Sequence, residues 1–310
     1  MVNMLVCLDA NIWISSQLLR SPMGSALKFY LAQVNGKLLL PVVVEREVEK
    51  AARNAAREAS RKFAQADDAL NRFRSGIDRT DAPSVEDIVG EVRKRFAYLS
   101  PFLLRVPLSL RDVNEALELV FNDSSPNSPQ KEEFRDSLLW VVARRLARRH
   151  HVHVVTNDSD FFVPGEKPRR LAPTLSAEVA ARKGFLSVHE DFGALLEAAN
   201  QQVTRPGSDA IVSELSDWSR VVVEQEVSGE VLSVGNVSRV NLEAFRTGKR
   251  NQLALAFEIT FALQGWPGAE ATAKGSAEYN HRSEFIRAAT LEMLTIEQPG
   301  QSTRLIFFRA

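Results

Sequence analysis

The 310-residue chain has one cysteine, no net charge and no apolar run near the ~20 residues a membrane helix needs. Cys7 alone excludes an internal disulfide framework. Its place in Met4-Leu5-Val6-Cys7-Leu8 reads as core packing, and a reducing cytoplasm is the expected setting. The amino terminus enters a strand with no basic region or small-residue cleavage site, so no export signal and no membrane partner are expected. Lys and Arg number 39 against 39 Asp and Glu, which argues against a generic polyanion sponge. Residues 1–200 hold 28 cations and 26 acids, and residues 201–310 hold 11 and 13. Any nucleic-acid contact must therefore come from local arrangement.

What is present is an alternation of strand and helix patterns. Val2–Leu8 is a nearly continuous apolar run of strand length, as in a parallel strand covered on both faces. Met23–Asn35 reads as a helix, and Lys37–Val44 as a short strand broken by Pro41. Ala52, Ala56, Ala59, Phe63, Ala66, Leu70 and Phe73 draw one apolar stripe along a long helix, and Ile88, Val92, Phe96 and Leu99 repeat it after Pro83-Ser84. Together these predict a helical-hairpin arm over about residues 45–99. Helices at Ser109–Phe121 and Glu132–Arg149, a strand at His153–Thr156, then helix, strand and helix to Asn200 complete a parallel α/β pattern with helices on both faces. After Pro206-Gly207-Ser208 the composition changes: Arg220–Val240 and Gln252–Leu263 read as strands, with Thr247-Gly248-Lys249 as a hairpin turn. The expected division is residues 1–203 as the α/β domain and 204–310 as a mainly antiparallel β domain, used for homo-oligomer assembly or a partner protein.

Five carboxylates border the apolar runs of the first part: Asp9, Glu47, Asp136, Asp158 and Asp160. Acids of one sign repel when desolvated, and a divalent cation is the usual reason a fold gathers them. In parallel sheets ligands bind at the carboxyl ends of strands, which is where Asp9 and Asp158 fall.

The order and wording of Leu8-Asp9-Ala10-Asn11, Glu47 six residues after Pro41, Arg135-Asp136-Ser137-Leu138 and Thr156-Asn157-Asp158-Ser159-Asp160-Phe161 resemble a PIN domain, the PilT N-terminal type of nuclease. The likeness spans about Met1–Asn200 and is closer to larger bacterial PIN-like proteins than to small toxin-type ones. It implies catalytic roles for Asp9, Glu47, Asp136, Asp158 and Asp160, with one or two Mg²⁺ or Mn²⁺ ions on Asp9, Asp136, Asp158 and Asp160. Asn11, Thr156 and Asn157 would be accessory, Thr156 and Asn157 steadying the last acids by side-chain hydrogen bonds. The resemblance implies RNA as the usual substrate, with DNA left open, and does not tell a toxin or defence role from RNA processing; attack by metal-activated water would leave 5′-phosphate and 3′-hydroxyl ends.

Each acid also has an ordinary reading. Asp9 can cap a helix, Asp136 can answer a helix dipole, Asp158 and Asp160 can close a loop, and Glu47 can be solvated beside Glu45 and Glu49. His150, His151 and His153 lack the partners of a zinc site and read as a helix end and strand. Arg144, Arg145, Arg148 and Arg149 read as a solvated helix face, and Trp218 and Trp266 as core or rim of the β domain. A catalytically inactive RNA-binding scaffold remains an alternative. Arg46, Lys50, Arg53, Arg57 and Arg61 stack along one face of the helix bearing Glu47, where they form either a phosphate track or a solvated face.

Overall fold

The computed structural model describes residues 4–71, 84–163, 169–182, 185–203, 209–227, 233–265, 267–299 and 304–307. Phe73, Pro206-Gly207 and Trp266 lie outside the described residues. The chain forms two compact units: residues 1–14 with 37–188, and residues 15–36 with 189–310. In chain order the elements are β1 (Met4–Leu8), α1 (Ala10–Ser15), α2 (Pro22–Gln33), β2 (Lys37–Pro41), α3 (Val42–Asn71), α4 (Val85–Tyr98), β3 (Leu103–Val106), α5 (Leu110–Phe121), α6 (Phe134–Leu146), β4 (His151–Val155), α7 (Pro173–Ala181), β5 (Leu186–His189) and α8 (Phe192–Ala198). They continue with β6 (Gln202–Val203), α9 (Asp209–Val227), β7 (Ser233–Arg246), β8 (Gln252–Gln264), β9 (Glu270–Asn280), β10 (Phe285–Glu297) and β11 (Arg304–Phe307).

The first unit is an α/β sheet of order β3-β2-β1-β4-β5 with flanking helices. The pairs β3–β2, β2–β1 and β1–β4 are parallel, and Leu8 stands opposite Val155 at the carboxyl ends of β1 and β4. Every residue of β1 is buried, as a continuous apolar run demands of a central parallel strand. The long helix starts earlier than expected: Val42–Val44 are helical, so Pro41 closes β2 and the helix follows at once. The stripe along α3 buries Val44, Val48 and Ala56, but Ala59 and Ala66 lie outside the core and Phe63 is 41% exposed. Beyond Ala56 the helix therefore extends past its described packing partners. α4 packs along α3 through buried Val89, Val92 and Phe96, with Arg53–Glu86 at 2.8 Å and Arg93–Glu49 at 2.9 Å across the pair. Capping boxes at Ser84/Asp87 and Ser109/Asp112 start α4 and α5.

Arg144 and Arg145 are not a solvated face. Arg145 pairs at 2.8 Å with Asp112 of α5, which is 1% exposed. Arg144 reaches Glu115 of α5 at 2.9 Å and Glu178 of α7 at 2.8 Å, and Trp140 Nε1 donates to the same Glu178. These bonds fasten α6 on two sides, because a buried carboxylate needs a cation once it leaves water.

The second unit is a six-stranded sheet, β11-β10-β9-β8-β7-β6, whose paired strands are antiparallel. The strict alternation of β8 places Leu255, Phe257, Ile259, Phe261 and Leu263 in its core. Residues 209–227 form α9, so the expected strand from Arg220 starts only at Ser233. Ile211, Leu215, Trp218 and Val222 recur at helical spacing and pack on the sheet, and this face outweighs the β-branched run Val221–Val223. The division also differs from the expected one at residue 203. β6 pairs with β7, and α2 packs on β8 and β9 through a face that includes buried Met23, Leu27 and Leu31. A polar cavity of about 170 Å³ in this unit is bordered by Asp191, Glu243, Glu258, Lys274 and Glu292. Lys274 Nζ lies 2.5 Å from Asp191 Oδ2. Gly275 is required here, since a Cβ would clash with the Thr290 carbonyl oxygen of the neighbouring strand. Among the described residues, no helix is long and apolar enough to cross a membrane.

Candidate active site

Asp9 follows β1 directly and is 3% exposed. Its backbone N–H donates to Val155 of β4 at 3.0 Å, extending the β1–β4 ladder by one residue. The Thr156 hydroxyl donates to Asp9 Oδ2 at 3.0 Å and accepts from the Asp158 backbone N–H at 3.1 Å. Asp158 in turn accepts from the Asp160 N–H at 3.0 Å, capping the 3₁₀ turn Ser159–Phe161. One buried threonine thus ties the ends of two neighbouring strands.

Asp136, in the first turn of α6, is 8% exposed. Its position is set by the loop before the helix. The Asn127 carboxamide accepts from Glu133 N–H at 2.7 Å and donates to Ser137 Oγ at 2.8 Å and the Ser124 carbonyl at 2.9 Å. Glu47 lies in the second turn of α3 and accepts from the Arg135 guanidinium.

These acids from four elements lie within electrostatic range of one another. Burial pushes Asp136 up to about 8, assisted by the charges of Asp9, Asp158, Glu133 and Glu47. Burial also raises Asp9 to about 6, against the hydrogen bonds from Thr156 and Ala10 and with repulsion from Asp158 and Glu47. Glu47 is raised by burial and by Glu133, with Arg135 opposing. Asp160 instead turns to Lys131 Nζ at 2.5 Å, and Lys131 also reaches Glu133 at 2.7 Å. Hydrogen bonds to Asp160 and Glu133 hold the Lys131 ammonium above its ordinary value.

The chain matches the family model described as a PIN domain over residues 6–161. It belongs to the PIN domain family. No curated protein and no solved structure matches it.

Within this PIN domain, Asp9, Glu47, Asp136 and Asp158 share one electrostatic neighbourhood, while Asp160 is held at its edge. Asn11 is exposed on α1, and the Asn157 backbone carbonyl accepts from the Arg169 guanidinium at 2.8 Å. Glu133, Arg135 and Lys131 do not stand out in the sequence, although Glu133 and Arg135 closely precede Asp136. The available signal is the spacing of Glu133 and Arg135 at the start of α6. His151 stacks on Phe185 with ring centroids 4.5 Å apart, and His153 Nδ1 lies 2.7 Å from Ser187 Oγ. In the basic row, Arg53 pairs with Glu86, Arg61 with Glu58 at 2.7 Å, and Arg46 lies 3.8 Å from Glu49; Lys50 and Arg57 are exposed.

The donor set is entirely carboxylate oxygen, the hard ligand type that Mg²⁺ and Mn²⁺ take. The mutual repulsion of Asp9 and Asp136 is a charge excess that a divalent ion would relieve. Among the described residues, no three or more His, Cys, Asp or Glu side chains converge closely enough to hold an ion as they stand.

Proposed function

We propose that this PIN-domain protein is a divalent-metal-dependent nuclease that hydrolyses RNA internally, leaving 5′-phosphate and 3′-hydroxyl ends. The observation that carries this reading is membership of the PIN domain family together with two buried acids, Asp9 and Asp136, within electrostatic range of Asp158 and Glu47. A fold that spends stability on facing acids does so for a ligand of opposite charge. On this reading Asp9, Asp136 and Asp158 hold one or two Mg²⁺ or Mn²⁺ ions, with Glu47 and Asp160 contributing directly or through water. The ion, when bound, supplies a water of lowered pKa and neutralises charge on the attacked phosphate. Thr156 keeps Asp9 and Asp158 oriented, and the row Arg46, Lys50, Arg53, Arg57 and Arg61 guides the RNA backbone. The six-stranded unit serves homo-oligomer assembly or target choice through a partner protein, in a cytoplasmic toxin or defence effector.

The spread of the acids as they stand favours a second reading, an RNA-binding scaffold without hydrolysis. One experiment separates the two. Labelled RNA and DNA pools are incubated with protein and Mn²⁺, Mg²⁺ or chelator, and product ends are sequenced. Asp9→Asn and Asp136→Asn should remain folded and lose cleavage. Wild-type rates in both variants would sink the nuclease reading, and 2′,3′-cyclic phosphate ends would replace activated water by attack of the RNA 2′-hydroxyl.

A further inference from the structure

Two of the acids assigned to the ion are already engaged by cations from one short segment. Lys131 bridges Asp160 at 2.5 Å and Glu133 at 2.7 Å, and Arg135 pairs with Glu47. The cations are half exposed, at 53% and 54% of their side chains, while Asp160, Glu133 and Glu47 are 23%, 17% and 18% exposed. Both therefore reach from the rim onto carboxylates that sit deeper. The segment that delivers them is anchored. Lys131 exchanges two 3.0 Å backbone hydrogen bonds with Ser128, and the Asn127 carboxamide fixes Glu133.

We infer that Lys131 and Arg135 are resident counter-cations of the acid cluster, holding Asp160 and Glu47 turned aside until a divalent ion displaces them. This rests on the metal-binding reading above. A monovalent ammonium or guanidinium can neutralise one carboxylate each, whereas a compact divalent ion attracts several at once. The two side chains thus keep a charged pocket stable while empty, and they weaken its hold on metal by the strength of their own pairs. Once displaced, both remain at the rim, where an anion such as a backbone phosphate becomes their natural ligand.

The test uses the full chain with Mn²⁺ alone as probe, free Mn²⁺ being read by electron paramagnetic resonance. Wild type is compared with Lys131→Met, Arg135→Met, Lys131→Arg and Asp136→Asn. Lys131→Gln and Arg135→Gln repeat the test with polar replacements. The neutral variants should bind Mn²⁺ about two- to fivefold more tightly, the range expected for losing a competing pair of this exposure. Lys131→Arg should stay near wild type. In chelator the neutral variants should melt below wild type, and Mn²⁺ should close that gap. Equal or weaker Mn²⁺ affinity in the neutral variants, with binding intact in wild type, overturns the counter-cation role alone. No Mn²⁺ binding in wild type, unchanged by Asp136→Asn, overturns the metal site and this role with it.

Discussion

The Thr156 hydroxyl donates to the buried carboxylate of Asp9 at 3.0 Å, across 147 residues of sequence. Since it also accepts from the Asp158 N–H, it is a hinge pin between two acids. Thr156→Val keeps the shape and removes both bonds, so we predict a loss of about 1–3 kcal/mol in urea unfolding and a marked fall in cleavage. Thr156→Ser should recover most of both. Equal activity in the Val variant would show that Asp9 needs no such partner.

Asn127 makes three hydrogen bonds that hold the loop before α6. Asn127→Ala should destabilise the fold by about 1–3 kcal/mol, because Glu133 N–H and Ser137 Oγ lose a buried partner. Asn127→Asp keeps the acceptor for Glu133 N–H but loses the donors, and should fall between Ala and wild type. Chemical denaturation distinguishes the three.

Glu292 borders the cavity of the second unit and accepts from Ser276 Oγ at 3.1 Å. Burial pushes its carboxyl from an ordinary 4.5 up to about 7, the Ser276 bond opposing and Asp191 assisting. A raised folded-state value means the folded protein binds the proton more tightly than the unfolded chain. The contribution of Glu292 is therefore fully favourable below about 4.5 and is lost as pH rises through about 7. Glu292→Gln should remove this slope and gain stability relative to wild type above pH ~7, with ~1.4 kcal/mol as the ceiling for each pH unit between the unfolded and folded values. Parallel melting temperatures for the two proteins from pH ~5 to ~8 would exclude it.

Along α3, Arg53 and Arg61 are paired with acids while Lys50 and Arg57 are exposed. If the row holds RNA, Lys50→Gln with Arg57→Gln should flatten the log–log salt dependence of binding by ~0.7 per lost single-strand phosphate contact. Adding Arg53→Gln and Arg61→Gln should change it further by less, since those cations are partly neutralised. An unchanged slope in the double variant returns the row to ordinary surface.

The parallel strands, the capped helices and the order of the acids are legible in the sequence because each rests on local spacing. β1 reads as a buried strand from five consecutive apolar residues, and β8 from strict alternation. The end of α9 from Arg220 reads wrongly as a strand because Val221–Val223 favours one locally, while the helical face is recognisable only against the sheet it covers. The membership of α2 in the second unit is hidden for the same reason. Met23, Leu27 and Leu31 mark a buried face but not its partner, so a truncation near residue 200 would strip that helix of the strands it packs on.

The sequence by itself determined which residue types could form the site, where each lies relative to a strand end or helix start, and hence the family. Only the tertiary structure decided which acids come within electrostatic range of one another. The register of Leu8 against Val155 sets Asp9 beside Thr156 and Asp158, and the ion pairs of Arg144 and Arg145 help fix the helix that brings in Asp136. It also decided which cations answer them, since Lys131 and Arg135 reach acids 29 and 88 residues away. Charge acts through space and falls with distance, so sequence order, which marks neighbouring pairs such as Arg61 and Glu58, does not say which distant residues must neutralise one another.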